Sequence, residues 1–398
     1  MKYDSLYKLY YSNSSNYQEI YNQRFNSADT IKLDFYIANN QAFFVQTPLL
    51  FKIIIAIEKL DKEILKISNK LPQSALNQFA RRSLIDEIVL TNNIEGVYST
   101  RHEIFNTLNE VDKNNTNRFH GLVSKYNMLS NNKINIKTCQ DIRGIYDELV
   151  LDEIIKDDPK NIPDGKIFRK SSVSVYNAAQ KEIHRGLHPE ANIIDAMEKA
   201  IKILEDDKLL LIIRIALFHY MFGYIHPFYE GNGRTSRYIS SALLANEYEK
   251  IIGYRLSYTI KENVSKYYES FKICNHQKNL GDLTPFILMF LSILKTSFGQ
   301  LKEALTKRLD KLNLYKTYIP RLPNGDNNKY YRLYLLLLQA TLFSEAGIPT
   351  SELSELCETG PQTLKKRLDT IKNLNLVICK KINKKNYFHL NLEQLEHQ

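Results

Sequence analysis

The sequence predicts a mainly α protein that carries a short β-hairpin and ends in a winged helix-turn-helix. Three observations support this. Apolar residues recur at helical spacing through most of the 398 residues. One window, 165–175, replaces that period with alternation, and the tail reads as helices, a turn and two short strands. Helices and strands bury residues with periods of 3.6 and 2, so a change of period marks a change of element.

The apolar share of 43% and charged share of 25% describe a globular chain with ample core, long enough for two or three folded units. No internal repeat or long low-complexity segment is present. The longest apolar stretch, 283–294, is too short to span a bilayer. No apolar segment follows Met1-Lys2-Tyr3-Asp4, so neither a signal peptide nor membrane association is expected. Cys139, Cys274, Cys357 and Cys379 lack CxxC spacing, which argues for reduced thiols in a cytoplasmic protein and against zinc. Abundant Lys, Asn, Ile and Tyr without Trp suggests an AT-rich bacterial genome.

Residues up to about 110 read as helices, with a strongly apolar run at 51–57. Leu84, Ile85, Ile88 and Val89 follow helical spacing and Gly96 sits where that helix would end, so a helix over about 81–96 places Glu95 in its last turn. There the helix dipole disfavours a carboxylate by a few tenths to about 1 kcal/mol, and a cation should compensate it. Thr100-Arg101-His102-Glu103 reads as a capping box. Asn114-Asn115-Thr116-Asn117 marks a loop into a central region expected at 113–298, after an N-terminal region of 1–112. Gly165-Lys166-Ile167-Phe168-Arg169 followed by Val173-Ser174-Val175 predicts the hairpin. His219, on a strongly apolar helix, reads as a core histidine. Leu301, Leu305, Leu309 and Leu312 share a face over 299–314, a helix expected to brace the core, and Pro320 to Asp326 reads as the end of a 299–326 linker.

The twelve residues from His226 to Arg237, HPFYEGNGRTSR, combine a base, an acid, a glycine-flanked turn and two guanidiniums. Pro227 disfavours helix for the residue before it, so the apolar helix should stop at His226 and leave the imidazole facing a loop. Gly231-Asn232-Gly233 can turn successive N–H groups to one side at the start of the next helix, an anion-binding nest reinforced by the helix dipole. Arg234 and Arg237, three apart, share a helix face and can fork onto the phosphates of a nucleotide. A carboxylate beside a polyphosphate commonly holds Mg²⁺, a role open to Glu230. His226 is the natural acceptor for the proton of an attacking hydroxyl.

This window resembles the signature of the Fic family, HxFx(D/E)GNGRxxR, and meets every specified position. The resemblance implies transfer of AMP from ATP to a Ser, Thr or Tyr hydroxyl of a protein, itself included. His226 would be the base, Glu230 the Mg²⁺ ligand, and Gly231, Asn232 and Gly233 the phosphate cradle. Arg234 and Arg237 would hold the outer phosphates, and His226, Asn232 and Arg237 would be the catalytic set. Thr91-Asn92-Asn93-Ile94-Glu95-Gly96 resembles the family's inhibitory motif, (S/T)xxxE(G/N), in the N-terminal position of the class II members. It implies that Glu95 draws Arg237 into an ion pair and restrains the enzyme. The hairpin would be the flap that docks an extended target segment, with Val173 and Val175 in it, and the segment 176–189 looks longer and more polar than in the family. Tyr267 and Asn275 resemble adenine-side residues, the first stacking on the base and the second bonding its edge.

The tail, 327–398, resembles the C-terminal domain of many class II members. A long apolar helix is followed by a short helix at 351–357, a turn at Thr359-Gly360-Pro361, a helix to Asn373 and two strands around Asn383-Lys384-Lys385. Between Gly360 and His389, Lys365, Lys366, Arg367, Lys372, Lys380, Lys381, Lys384 and Lys385 stand against one acid, Asp369, in a chain of net charge +10. A basic third helix and wing suit phosphate contact on DNA; winged helices also serve as dimerisation and protein-docking modules, which leaves a homodimer open. Two classes of function stand: an autoinhibited AMP transferase, with removal of AMP through Glu95 as a variant, and a DNA-binding regulator whose nucleotide site only senses. Intact His226 and Arg237 favour the enzyme.

Overall fold

Leu33, Phe35 and Ile37 are buried and alternate with exposed Lys32, Asp34 and Tyr36, so the chain forms a strand where helix was expected. Strands Thr30–Ile37 and Asn40–Val45 pair antiparallel. The two residues between them, Ala38 and Asn39, have φ of 45° and 68°, the left-handed conformations that match a two-residue turn to strand twist. This corrects the all-helical reading of the first 110 residues: eight residues of alternation lie between helical segments that dominate the region's composition. The apolar run at 51–57 does lie in a helix, Pro48–Ser68.

The computed structural model describes residues 3–12, 15–109, 117–129, 133–176, 182–382 and 385–396. The boundary expected at 112, most of the loop at 114–117, residues 177–181 of the segment after the flap, and Asn383 and Lys384 lie outside the described residues. Internal contacts divide the chain into two compact units, Met1–Asp61 with Asp86–Phe298 and Lys62–Ile85 with Gly299–Gln398.

The first unit is built on helix Leu211–Ile225, whose Ile212, Ile215, Phe218, Tyr220 and Phe222 are all buried. A helix apolar on every side belongs at the centre of a core. Helices Glu190–Glu205, Asn232–Glu247 and Val264–Asn275 belong to the same unit. By length and composition Thr284–Arg321 could cross a bilayer, and 56% of its apolar window is buried within the protein. Phe286, Ile287, Phe290, Leu291, Leu294 and Phe298 are buried, as in a core helix. The N-terminal segment clasps the loop after Asn275. Phe43 N–H donates to Gly281 O at 3.0 Å and Leu283 N–H to Phe43 O at 2.8 Å, while Tyr3 OH donates to Asp282 at 2.7 Å. The Phe43 ring meets Phe25 edge-on at 5.2 Å.

The hairpin expected as the flap forms, with different strands. Ser174–Tyr176 pairs antiparallel with Glu182–Arg185, placing Val175 opposite His184. Residues 165–169 are not in a strand; there Phe168 and Arg169 are fully buried beneath the flap's stem, where packing replaces pairing.

In the second unit, helix Asn328–Phe343 is followed by Ile348–Pro349, helices Thr350–Leu356 and Pro361–Lys372, and strands Val377–Ile382 and Lys385–Leu390. The last strand lies between the other two in an antiparallel sheet. The expected linker is a packed corner: Ile319 and Leu322 are buried, and Tyr334 OH donates to Pro323 O at 3.0 Å. Residues 299–316 continue the 33-residue helix Thr284–Lys316.

Because Phe43 is fully buried between two aromatic rings and the 281–283 loop, Phe43→Ala should cost about 3–5 kcal/mol, measured by urea denaturation.

Candidate active site

Helix Leu211–Ile225 ends at His226, which takes up a left-handed conformation (φ 53°, ψ 63°) and donates its N–H to Phe222 O at 2.9 Å. The chain then turns through Pro227 and drives Phe228 into the core, where its ring stacks on Tyr146 at 3.7 Å. Asn232 closes the loop: its Oδ1 accepts from Phe228 N–H at 2.9 Å and its Nδ2 donates to Phe228 O at 2.8 Å. The Asn232 side chain is thus committed to the loop that carries His226, while the phosphate cradle expected at 231–233 is one of backbone N–H groups. Gly231, at φ 79°, starts helix Asn232–Glu247, and a left-handed start of this kind favours glycine.

Helix Gln73–Ile94 ends one residue before Glu95 in a Schellman turn, with Gly96 at φ 75°, Gly96 N–H on Asn93 O and Val97 N–H on Asn92 O. Its last turn is filled by Arg237. The guanidinium Nε donates to Thr91 Oγ1 at 2.8 Å, Nη2 to Thr91 O at 3.0 Å, and Nη1 meets Glu95 Oε1 at 2.8 Å. Arg237 is 1% exposed and Glu95 29%. A Cβ on Gly233 would overlap Glu95 Oε1, so the carboxylate lies directly over the first turn of helix Asn232–Glu247. An anion is therefore already seated where a helix N-terminus and a guanidinium converge.

Arg234 points elsewhere. It is fully buried, with Nη1 on Glu153 at 2.7 Å and Nη2 at 3.7 Å from Glu230. Glu230 is 38% exposed and accepts from Asn161 Nδ2 at 3.0 Å. Among the described residues no cluster of three or more potential metal ligands occurs.

A cleft of about 160 Å³ is lined by Glu95, His226, Asn232, Gly233 and Arg237 together with Tyr267, Tyr268, Asn275 and the flap residues Val175 and His184. Thr91, Val173, Glu230, Gly231 and Arg234 stand outside that lining. Tyr267 is buried and its OH shares a 2.7 Å hydrogen bond with His219 Nε2. His219 Nδ1 meets Ser240 Oγ at 2.8 Å, so His219 is a fully partnered core histidine, as expected. Asn275 Oδ1 accepts from Tyr220 OH at 2.7 Å. His184 Nε2 bonds Tyr224 O at 2.7 Å.

Burial, reinforced by the neighbouring His184 and opposed by Glu95, brings the His226 pKa down to about 4, with a smaller downward push from Arg169. Burial and then Arg237 bring His219 to about 3. At neutral pH both imidazoles are uncharged, the form a base requires. Glu153, Arg169 and His184 were not foreseen as site residues. Each is an ordinary charged or polar residue in its local sequence, and only the tertiary fold brings it to the signature loop.

The pattern of the Fic/DOC family matches residues 137–244. Over 72 residues the chain is 42% identical to the protein adenylyltransferase Fic of Drosophila virilis, and equally to that of Drosophila melanogaster. The match covers 18% of this chain and 13% of either relative. The fold resembles the crystal structure of a Fic family protein from Desulfovibrio desulfuricans G20 with a TM-score of 0.53 at 16% identity, over 87% of this chain and 96% of that one.

Two stability measurements follow from the buried charges. An unfolded histidine titrates near 6.5, whereas His219 folded titrates near 3. Between these values the unfolded state binds more protons, so His219 makes stability fall as pH drops from about 6.5 towards 3. Denaturation at several pH values should show His219→Gln losing up to about 1.4 kcal/mol per pH unit of that slope relative to the parent. Glu153→Ala, which leaves the buried Arg234 guanidinium without its closest carboxylate, should cost about 3–5 kcal/mol at pH 7 in the same assay.

Proposed function

The chain carries a domain of the Fic/DOC family, and from that premise we propose that it is an autoinhibited protein adenylyltransferase, moving AMP from ATP to a Ser, Thr or Tyr hydroxyl of a protein. The observation that carries this reading is the seating of Glu95 on Arg237, over the helix start next to His226. A nucleotide's outer phosphate has the same charge requirement as that carboxylate. While Glu95 is there, Arg237 is withheld from the phosphate.

With Glu95 displaced, the steps follow from the residues present. The target hydroxyl gives its proton to neutral His226 as its oxygen attacks the α phosphorus. The bond to the bridging oxygen of the β phosphate breaks, and pyrophosphate leaves. Arg237 and the N–H groups at the start of helix Asn232–Glu247 stabilise the charge that moves onto the leaving phosphates. Glu230, whose carboxylate is 38% exposed and one turn before Arg234, is the protein donor that would hold the family's Mg²⁺; bound there, Mg²⁺ would neutralise phosphate charge. Tyr267, Tyr268 and Asn275 are available to the base. The free edges of the flap can take an extended target segment as an added strand.

In the C-terminal unit, Lys365, Lys366, Lys372, Lys380, Lys381 and Lys385 are exposed. We read its element order as a winged helix-turn-helix with a basic third helix and wing, suited to a DNA phosphate backbone.

Intact mass after incubation with ATP and Mg²⁺ tests the enzymatic reading. Glu95→Gly should acquire one AMP unit about 10²-fold faster than the parent, the scale set by restoring one charge-stabilising donor. His226→Ala in that background should lose about 10² to 10⁴ of the rate and still bind ATP by calorimetry. Equal rates for the parent and Glu95→Gly would sink the autoinhibition. ATP binding without transfer in any variant would favour the nucleotide-sensing regulator.

A further inference from the structure

Arg169 is fully buried, and its guanidinium pairs with no carboxylate among the described residues. Its partners are three carbonyls. Nε donates to His226 O at 2.9 Å, Nη2 to Leu187 O at 2.8 Å and Nη1 to Ser171 O at 2.5 Å. Its backbone N–H donates to Pro227 O at 3.2 Å. Burying a cation normally calls for an anion, so an arrangement of carbonyls alone leaves positive charge in the core.

The placement of the carbonyls shows what that charge does. Ser171 precedes flap strand Ser174–Tyr176, and Leu187 follows flap strand Glu182–Arg185, so one guanidinium grips both stems of the flap. Its third hold is the residue that carries the base. His226 is in the left-handed region, costly for a residue with a Cβ, and the Arg169 bond secures its carbonyl in that conformation. A Cβ at Gly186 would overlap the guanidinium and crowd the His226 side chain, so the flap stem is glycine where the two meet.

We propose that Arg169 is a positioning residue that locks the flap's register to His226 and places its uncompensated charge beside that imidazole. The proposal rests on the transferase reading. It gives the distance between a strand-docked hydroxyl and the base a single physical origin, and misplacement by about 1 Å can cost about 10²-fold in rate. The charged and titratable groups facing His226 are Glu95 beyond the end of helix Gln73–Ile94, His184 on the flap and Arg169 itself, with Arg237 and Lys272 lining the same cleft. Glu95 acts against the other two named on His226, favouring the imidazolium.

Two variants in the Glu95→Gly background separate position from charge. Arg169→Lys keeps the cation but has a single nitrogen, which cannot span three carbonyls. Arg169→Gln removes the cation. Self-labelling with ATP and Mg²⁺ should fall about tenfold or more in both, with the ATP Kd measured by calorimetry unchanged. NMR titration of the His226 imidazole should give the parental pKa in Arg169→Lys and a raised one in Arg169→Gln. Parental labelling by Arg169→Lys, or an unmoved His226 pKa in Arg169→Gln, would overturn the proposal. If Arg169→Gln does not fold, Arg169→Lys still decides through its labelling rate at unchanged ATP affinity. A Glu95→Gly parent that binds ATP and never labels would instead refute the transferase reading, leaving the imidazole titration to judge the electrostatic role of Arg169.

Discussion

Three guanidinium groups, those of Arg169, Arg234 and Arg237, are buried to 1% exposure or less around one loop, and each imposes its own solution. Arg234 takes a carboxylate, Glu153. Arg237 takes a helix end and Glu95. Arg169 takes only carbonyls. A buried cation that lost its partners would be several kcal/mol out of balance, so the loop, the flap stems and the end of helix Gln73–Ile94 are all obliged to converge on residues 226–237. The geometry of the signature loop follows from satisfying these charges.

The solution at Arg237 has a built-in asymmetry. Nε and Nη2 are held by Thr91, which is fully buried, whereas Nη1 is held by Glu95, which keeps 29% of its side chain in contact with solvent. Thr91 thus supplies two of the three contacts that orient the guanidinium. Glu95 can return to water at a modest desolvation difference, and Nη1 then faces the cleft. Such a contact can restrain a site and still yield to an anion of higher charge. A fully buried Glu95 would hold Arg237 far more firmly.

The signature loop was legible because its constraints are local. Pro227 ends a helix, Gly231 supplies a left-handed start, and Gly96 terminates the helix before Glu95, all of which the structure contains. The Glu95–Arg237 pair was visible only through family resemblance, since nothing local in 91–96 points 140 residues downstream. Glu153 and Arg169 were hidden for the same reason. The flap was legible as a break in period, but its partner strand was misassigned: a two-fold alternation shows that a segment is extended and does not name its neighbour. Hairpin 30–45 carried a clear alternation of its own, overlooked amid long helical segments. Asn232 shows the opposite difficulty. Its place in a glycine-flanked turn suggests a backbone role, and the sequence does not show that both ends of its side-chain amide close the loop on Phe228.

In the proposed transfer His226 would be a weak base, because burial, His184 and Arg169 all oppose its protonation and bring its pKa to about 4. That weakness has a use. An imidazole kept neutral is ready to accept a proton at any physiological pH, and it needs greater basicity only when the hydroxyl is about to react. In the proposed reaction a nucleotide would bring several negative charges into the same cleft, and opposite charge within a few ångströms raises a histidine's affinity for its proton by one unit or more. On this argument the substrate itself strengthens the base. Glu95 supplies a single negative charge of the same sign in the resting state, favouring the imidazolium without providing anything to attack. Exchange of Glu95 for a polyphosphate would therefore release Arg237 and raise the basicity of His226 in the same step, tying catalytic competence to occupancy by the donor.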